Sequence, residues 1–232
     1  MKMENLREKI NFNHKITIIS FDVDGTLIDY DFVNSVWFEE IPKLVAEKEG
    51  ISFNKALEKV KSAYNEVTEE KIEWYDIKYW VNKFKLKTDW KEILEKAKWK
   101  IKVYPDVLST LEKLNKKYKL IINSNSPREF LDLELKETKL NKFFSYVFSS
   151  TSDFNQVRKS EDYYAKICFI LQVKPESMLH IGDNWKFDFE VPSKIGIKTL
   201  FLDRSKTKNG KFIIHSLTQI EDAIKNFEVE NF

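Results

Sequence analysis

Short runs of consecutive apolar, often β-branched residues alternate along the chain with stretches where apolar residues recur every three or four positions. Runs of the first kind suit strands buried on both faces, and stretches of the second kind suit amphipathic helices. Ile16-Thr17-Ile18-Ile19-Ser20-Phe21 is the first predicted strand, and it runs straight into the loop Asp22-Val23-Asp24-Gly25-Thr26. From 31 to 100 the spacing is helical. Ala56, Leu57, Val60, Ala63, Tyr64 and Val67 mark one apolar face, and Ile93, Leu94 and Ala97 mark another. Gly50 predicts a helix stop, Thr88-Asp89 a helix start, and Pro42 a break or kink in the first of these helices. After Pro105, placed for the first turn of a helix, the two patterns alternate. They predict a helix over 106–117, a strand over 119–123, a helix opening at Ser126-Pro127 and a strand over 146–149. A helix over 160–172, a strand over 178–181, a short helix near Asp188, a strand over 198–202 and a last helix from Leu217 follow.

Strands alternating with helices predict an α/β fold, a Rossmann-like three-layer core with a parallel sheet. The helical stretch interrupts it as an inserted all-helical domain. The expected division is a catalytic core of 1–30 and 101–232 and a helical cap of 31–100. Five of the six tryptophans (Trp37, Trp74, Trp80, Trp90, Trp99) fall in the insert, where packing accounts for them. Trp37 and Tyr30 lie nearest the first loop in sequence and are the aromatic candidates for a substrate contact.

Composition narrows the class. Of the residues 42% are hydrophobic and 33% charged, as in a globular protein. Thirty-nine Lys and Arg against 37 Asp and Glu give a net charge of +2, with the two signs interspersed. That is no concentrated basic field, so neither nucleic acid nor an acidic membrane is an expected partner. The single cysteine, Cys168, sits in an apolar helical stretch and reads as core. Residues 1–14 alternate charged and apolar character without the apolar centre of a signal peptide. No stretch approaches the ~20 apolar residues of a membrane helix. A cytoplasmic protein, monomer or homodimer, is the expectation.

Open α/β sheets bind ligands at the carboxyl ends of their strands, and every polar cluster falls there. Asp22 and Asp24, two positions apart on extended chain, point the same way. Gly25 permits a sharp departure of the backbone and close approach to a ligand. Gly182-Asp183-Asn184 follows a later strand in the same manner, with Asp188 five residues beyond Asp183. Four carboxylates at one sheet edge repel unless a cation sits among them, and an all-oxygen site suits Mg2+. Ser124-Asn125-Ser126 offers hydroxyls and helix N-terminal amides to an anion, and Lys159 a positive charge. Together these describe a phosphoryl-transfer site.

Ile19-Ser20-Phe21-Asp22-Val23-Asp24-Gly25-Thr26-Leu27 resembles the first signature, DxDGT, of the haloacid-dehalogenase-like hydrolases. Asn123-Ser124-Asn125 is similar to their second motif, Lys159 to their third, and Gly182-Asp183-Asn184 with Asp188 to their fourth. The resemblance implies a magnesium-dependent phosphohydrolase acting on a small phosphorylated metabolite. It implies Asp22 as nucleophile, Asp24 as general acid-base, and Ser124, Asn125 and Lys159 as phosphate-binding residues. It also implies Asp22, the Asp24 carbonyl, Asp183 and Asp188 as the metal set. A phosphomutase of the same family stays open, as does, from another class, a cation-binding module. For that module Gly25 comes too early for a calcium loop, and Val33 stands in place of its glutamate.

Overall fold

Six strands pair in parallel into one sheet: β1 (Ile18–Phe21), β2 (Lys119–Ser124), β3 (Tyr146–Ser149), β4 (Met178–Gly182), β5 (Lys198–Leu202) and β6 (Ile213–Ile214), in the order β3-β2-β1-β4-β5-β6. This computed structural model describes residues 15–229. The charged opening segment 1–14 and residues 230–232 lie outside the described residues. Chain direction across the sheet reverses at β1, which pairs with β2 on one side and β4 on the other. The crevice at such a switch point is where ligands bind.

The two-residue period of β1 sends its side chains to opposite layers. Ile19 and Phe21 join Leu111, Leu135 and Ile224, from helices Val107–Leu114, Arg128–Glu137 and Ile220–Val229. Ile18 joins Tyr163, Tyr164 and Ile167 of helix Glu161–Leu171 on the other face. The result is the α/β three-layer core expected from the alternation. Cys168 is buried in it.

Between β1 and β2 the chain is helical, with Asp31–Ser35, Ile41–Glu49, Phe53–Val67, Ile77–Lys83 and Trp90–Ala97 as its α-helices. They enclose an apolar cluster of their own, including Trp37, Tyr64 and Trp80. Phe130 of the core enters that cluster and stacks on Trp37 at 5.4 Å. Trp99, by contrast, is 73% exposed. The two connecting segments run side by side, Asp29 donating to Lys102 O at 3.0 Å and Tyr104 to Leu27 O at 3.1 Å.

Gly50 ends its helix at φ 66°, and Asp89 caps helix Trp90–Ala97 through the Lys91 amide at 2.8 Å. Pro42 does not sever its helix; a π-helical turn, Val36–Glu40, precedes it and absorbs the missing N–H. The turn around Asp188 is likewise π-helical, Trp185–Glu190. Pro105 stands outside its helix, which begins at Val107 with Asp106 at the cap. The Asp106 carboxylate is turned away to Arg204, Ser216 and the Leu217 amide.

Candidate active site

The loop after β1 is folded on itself by the amides of Leu27 and Ile28, which donate to Val23 O at 2.8 and 3.0 Å. The turn needs Gly25 at φ +77°, and a Cβ there would meet Asp183 Oδ2 at 2.1 Å. Glycine at 25 therefore lets two acidic loops touch. Asp22 is anchored to β4 by its amide, which donates to Ile181 O at 2.9 Å.

Lys159, alone in sequence no more than a surface lysine, is 1% exposed. Its Nζ donates to Asp22 Oδ1 at 2.6 Å and Asn123 O at 3.1 Å, and lies 2.5 Å from Asp188 Oδ1. The Lys159 amide donates to Asn125 Oδ1 at 2.9 Å, and Ser160 caps the helix that follows. Asn125 thus positions the lysine through its side-chain oxygen, which also accepts from Ser150 Oγ. Burial disfavours the ammonium, but Asp188 and Asp22 outweigh it and hold Lys159 charged.

The acids respond differently to that one cation. Burial raises the Asp22 carboxyl well above its ordinary value, and Asp188 and Asp183 add to the rise against Lys159. Burial also lifts Asp183, to about 6, with the Asp188 charge in support. Asp188 goes the other way, because Lys159 and then His180 outweigh its burial. Tyr30 donates to Asp183 Oδ2 at 2.8 Å, and the Asn184 amide donates to Asp188 Oδ2 at 3.0 Å. Oxygens of Asp22, Asp183 and Asp188 lie within 4.8 Å of one another. An all-carboxylate donor set with two members driven towards neutrality by burial and like charge fits a hard divalent cation.

On the β2 side, Ser124 is buried and its Oγ accepts from the Ser126 amide at 3.1 Å. Ser126, expected to offer its hydroxyl to an anion, donates it instead to Asp24 Oδ2. Burial raises the Asp24 carboxyl, which favours its protonated form. Behind it lies Glu134 of helix Arg128–Glu137, fully buried, with neither carboxyl oxygen in an aligned hydrogen bond. Burial and then the Asp24 charge push Glu134 well above the carboxylate range. A glutamate at a core-facing helix position was the sequence signal for it. Trp37 is packed between Phe130 and Tyr64, while Tyr30 stands at the rim of the site, bonded to Asp183.

The expected residues from four strand ends thus converge on one crevice. Residues 19–202 match the family described as haloacid dehalogenase-like hydrolase. The chain belongs to the haloacid dehalogenase-like hydrolases. Among characterised relatives of this hydrolase, GMP/IMP nucleotidase YrfG of Escherichia coli is 23% identical over 171 residues, 73% of this chain and 75% of that one. Pyrophosphatase PpaX of Bacillus mycoides is 32% identical over 85 residues, 36% of this chain and 39% of that one. Among solved structures, the HAD phosphatase from Thermococcus onnurineus has a TM-score of 0.78 at 25% identity, covering 89% of this hydrolase and 97% of that chain. The 2-haloacid dehalogenase from Pseudomonas syringae shares the fold, with a TM-score of 0.68 at 16% identity over 91% of this chain and 99% of that one.

Proposed function

We propose that this hydrolase is a magnesium-dependent phosphatase, acting on a small phosphate monoester through an aspartyl-phosphate at Asp22. The observation that carries the reading is the pair on one loop. Lys159 fixes one oxygen of Asp22, while Asp24, two residues on, is half-buried and its carboxyl is raised, which favours the protonated form. Halide leaves carbon without a proton, whereas an alkoxide leaving phosphorus needs one, so an acid at 24 suits a phosphate ester.

In the first step an Asp22 oxygen bonds to phosphorus as the ester P–O bond breaks, and Asp24 gives its proton to the departing oxygen. In the second, the Asp24 carboxylate takes a proton from water, the water oxygen bonds to phosphorus, and the Asp22–phosphorus link breaks to release phosphate. Lys159 and Ser124 would face the phosphoryl oxygens, with the Asn125 side chain holding the Lys159 backbone. Magnesium, held by Asp22, Asp183 and the Asp24 carbonyl with Asp188 in support, would neutralise phosphoryl charge.

Residues 31–100 would serve as the cap that selects the leaving group, over a core of 1–30 and 101–232. A cavity of about 290 Å³ between the two is lined by Tyr75, Lys78, Pro127, Glu129 and Ser152. The nucleotidase and pyrophosphatase relatives make nucleoside monophosphates and pyrophosphate the first compounds to try. A panel of phosphate esters with magnesium, repeated with chelator, tests the reading. Phosphate release that chelator abolishes is the expected result; full turnover in chelator contradicts it.

A further inference from the structure

Beneath the carboxylates a line of buried polar groups crosses the sheet. Tyr163 OH lies 2.9 Å from Asn123 Oδ1, Asn123 Nδ2 lies 2.6 Å from Ser20 Oγ, and Ser20 Oγ lies 2.8 Å from His180 Nδ1. His180 Nε2 then lies 3.1 Å from Asp188 Oδ1. Tyr163, Asn123, Ser20, His180 and Asp188 are all 0% exposed. Ser20 and His180 are register partners in β1 and β4.

The direction of every bond follows from the acid end. Asp188 Oδ1 accepts from the Lys159 ammonium at 2.5 Å, so His180 Nε2, 3.1 Å from the same oxygen, carries a hydrogen. His180 Nδ1, 2.8 Å from Ser20 Oγ, accepts the Ser20 hydroxyl hydrogen, because that oxygen already faces a donor on its other side. Ser20 Oγ then accepts from the Asn123 amide, whose oxygen accepts from Tyr163.

The Asp188 carboxylate receives three donors. Lys159 and His180 meet at Oδ1, and the Asn184 amide meets Oδ2. Lys159 and Asn184 lie in loops at the strand end; His180 is the only one of the three rooted in the sheet. We propose that His180 is a positioning residue, locked as its Nε2–H tautomer by the Tyr163–Asn123–Ser20 line, which fixes the Asp188 carboxylate and so aims Lys159 at Asp22. Without that donor the carboxylate can turn about its Cβ–Cγ bond and carry the ammonium with it. Partners of this kind, one bond behind the groups at a metal site, typically contribute about 10–100-fold.

The kinetic part of the inference rests on the phosphatase reading; the tautomer does not. A long-range nitrogen–proton NMR correlation on 15N-labelled protein at neutral pH assigns the ring, with His180 identified by the signals absent from its variants. The expected result is hydrogen on Nε2 and a bare Nδ1; hydrogen on Nδ1 overturns the proposal whether or not turnover is found. His180→Gln can place an amide N–H near the Nε2 position, whereas His180→Asn cannot reach it. His180→Asn should lose about 10–100-fold in kcat with KM little changed, and His180→Gln should recover most of the loss at equal melting temperature. Equal impairment of the two overturns it. If the His180 variants do not fold, Ser20→Ala should shift the ring towards Nδ1–H and lower kcat, and an unchanged ring and kcat overturn the proposal. A wild-type protein without phosphatase turnover, its ring bearing hydrogen on Nε2, contradicts the phosphatase reading alone.

Discussion

Asp22 and Asp24 differ by their neighbours, not by their chemistry. Asp22 shares Lys159 with Asp188, whereas Asp24 accepts from a neutral hydroxyl, that of Ser126. In the proposed mechanism the first serves as nucleophile and the second as proton carrier. Asp24→Asn should therefore slow alkyl phosphates by about 10²–10⁴-fold and an aryl phosphate, whose phenolate leaves with little help, much less. Equal losses for both substrates in steady-state kinetics would contradict the assignment. Glu134 gives a second residue-scale prediction. Its carboxyl is raised in the folded chain, so its contribution is fullest below the ordinary carboxyl range and is lost as pH rises. Glu134→Gln removes that dependence. Thermal melts at about pH 5 and about pH 8 should show a smaller fall in stability for the variant than for the parent. Parallel behaviour would mean that Glu134 ionises in the fold.

At the scale of elements, the helical insert is tied to the core through Arg158, the residue before Lys159. Its guanidinium reaches Glu69 at 3.2 Å and Glu70 at 3.3 Å, on the exposed turn after helix Phe53–Val67, and lies 5.2 Å from the Phe187 ring centre. Lys78 and Glu129 make a second ion pair between insert and core. Pairs this exposed are worth about 0.2–1 kcal/mol each. Arg158→Ala should then speed tryptic cleavage after Lys71, in the same turn, by no more than about 5-fold. High salt should narrow the gap between variant and parent. Unchanged cleavage at low salt would show that Arg158 does not hold the turn.

Across the whole molecule, what could be read from sequence was whatever repeats or recurs locally. Five strands and the loops leaving β1, β2 and β4 are contiguous runs, and the expected Asp22, Asp24, Ser124, Lys159, Asp183 and Asp188 all come to one crevice. The two-residue β6 and the five-residue helix Ser150–Phe154 are too short to show a period. The contacts of His180 with Ser20, Tyr30 with Asp183 and Arg158 with Glu69 and Glu70 join positions far apart in sequence, and cross-strand register or packing, not spacing, creates them. The burial of Lys159 was hidden for the same reason. The proposed chemistry turns on one covalent species. Mixing the protein with magnesium and a phosphate ester, quenching in acid and mapping the peptides by mass should find a phosphoryl group on Asp22. It should accumulate in Asp24→Asn, where water is no longer activated, and be absent from Asp22→Asn. Turnover with no phosphoryl group on any Asp22 peptide, or a phosphoenzyme that persists in Asp22→Asn, would contradict it.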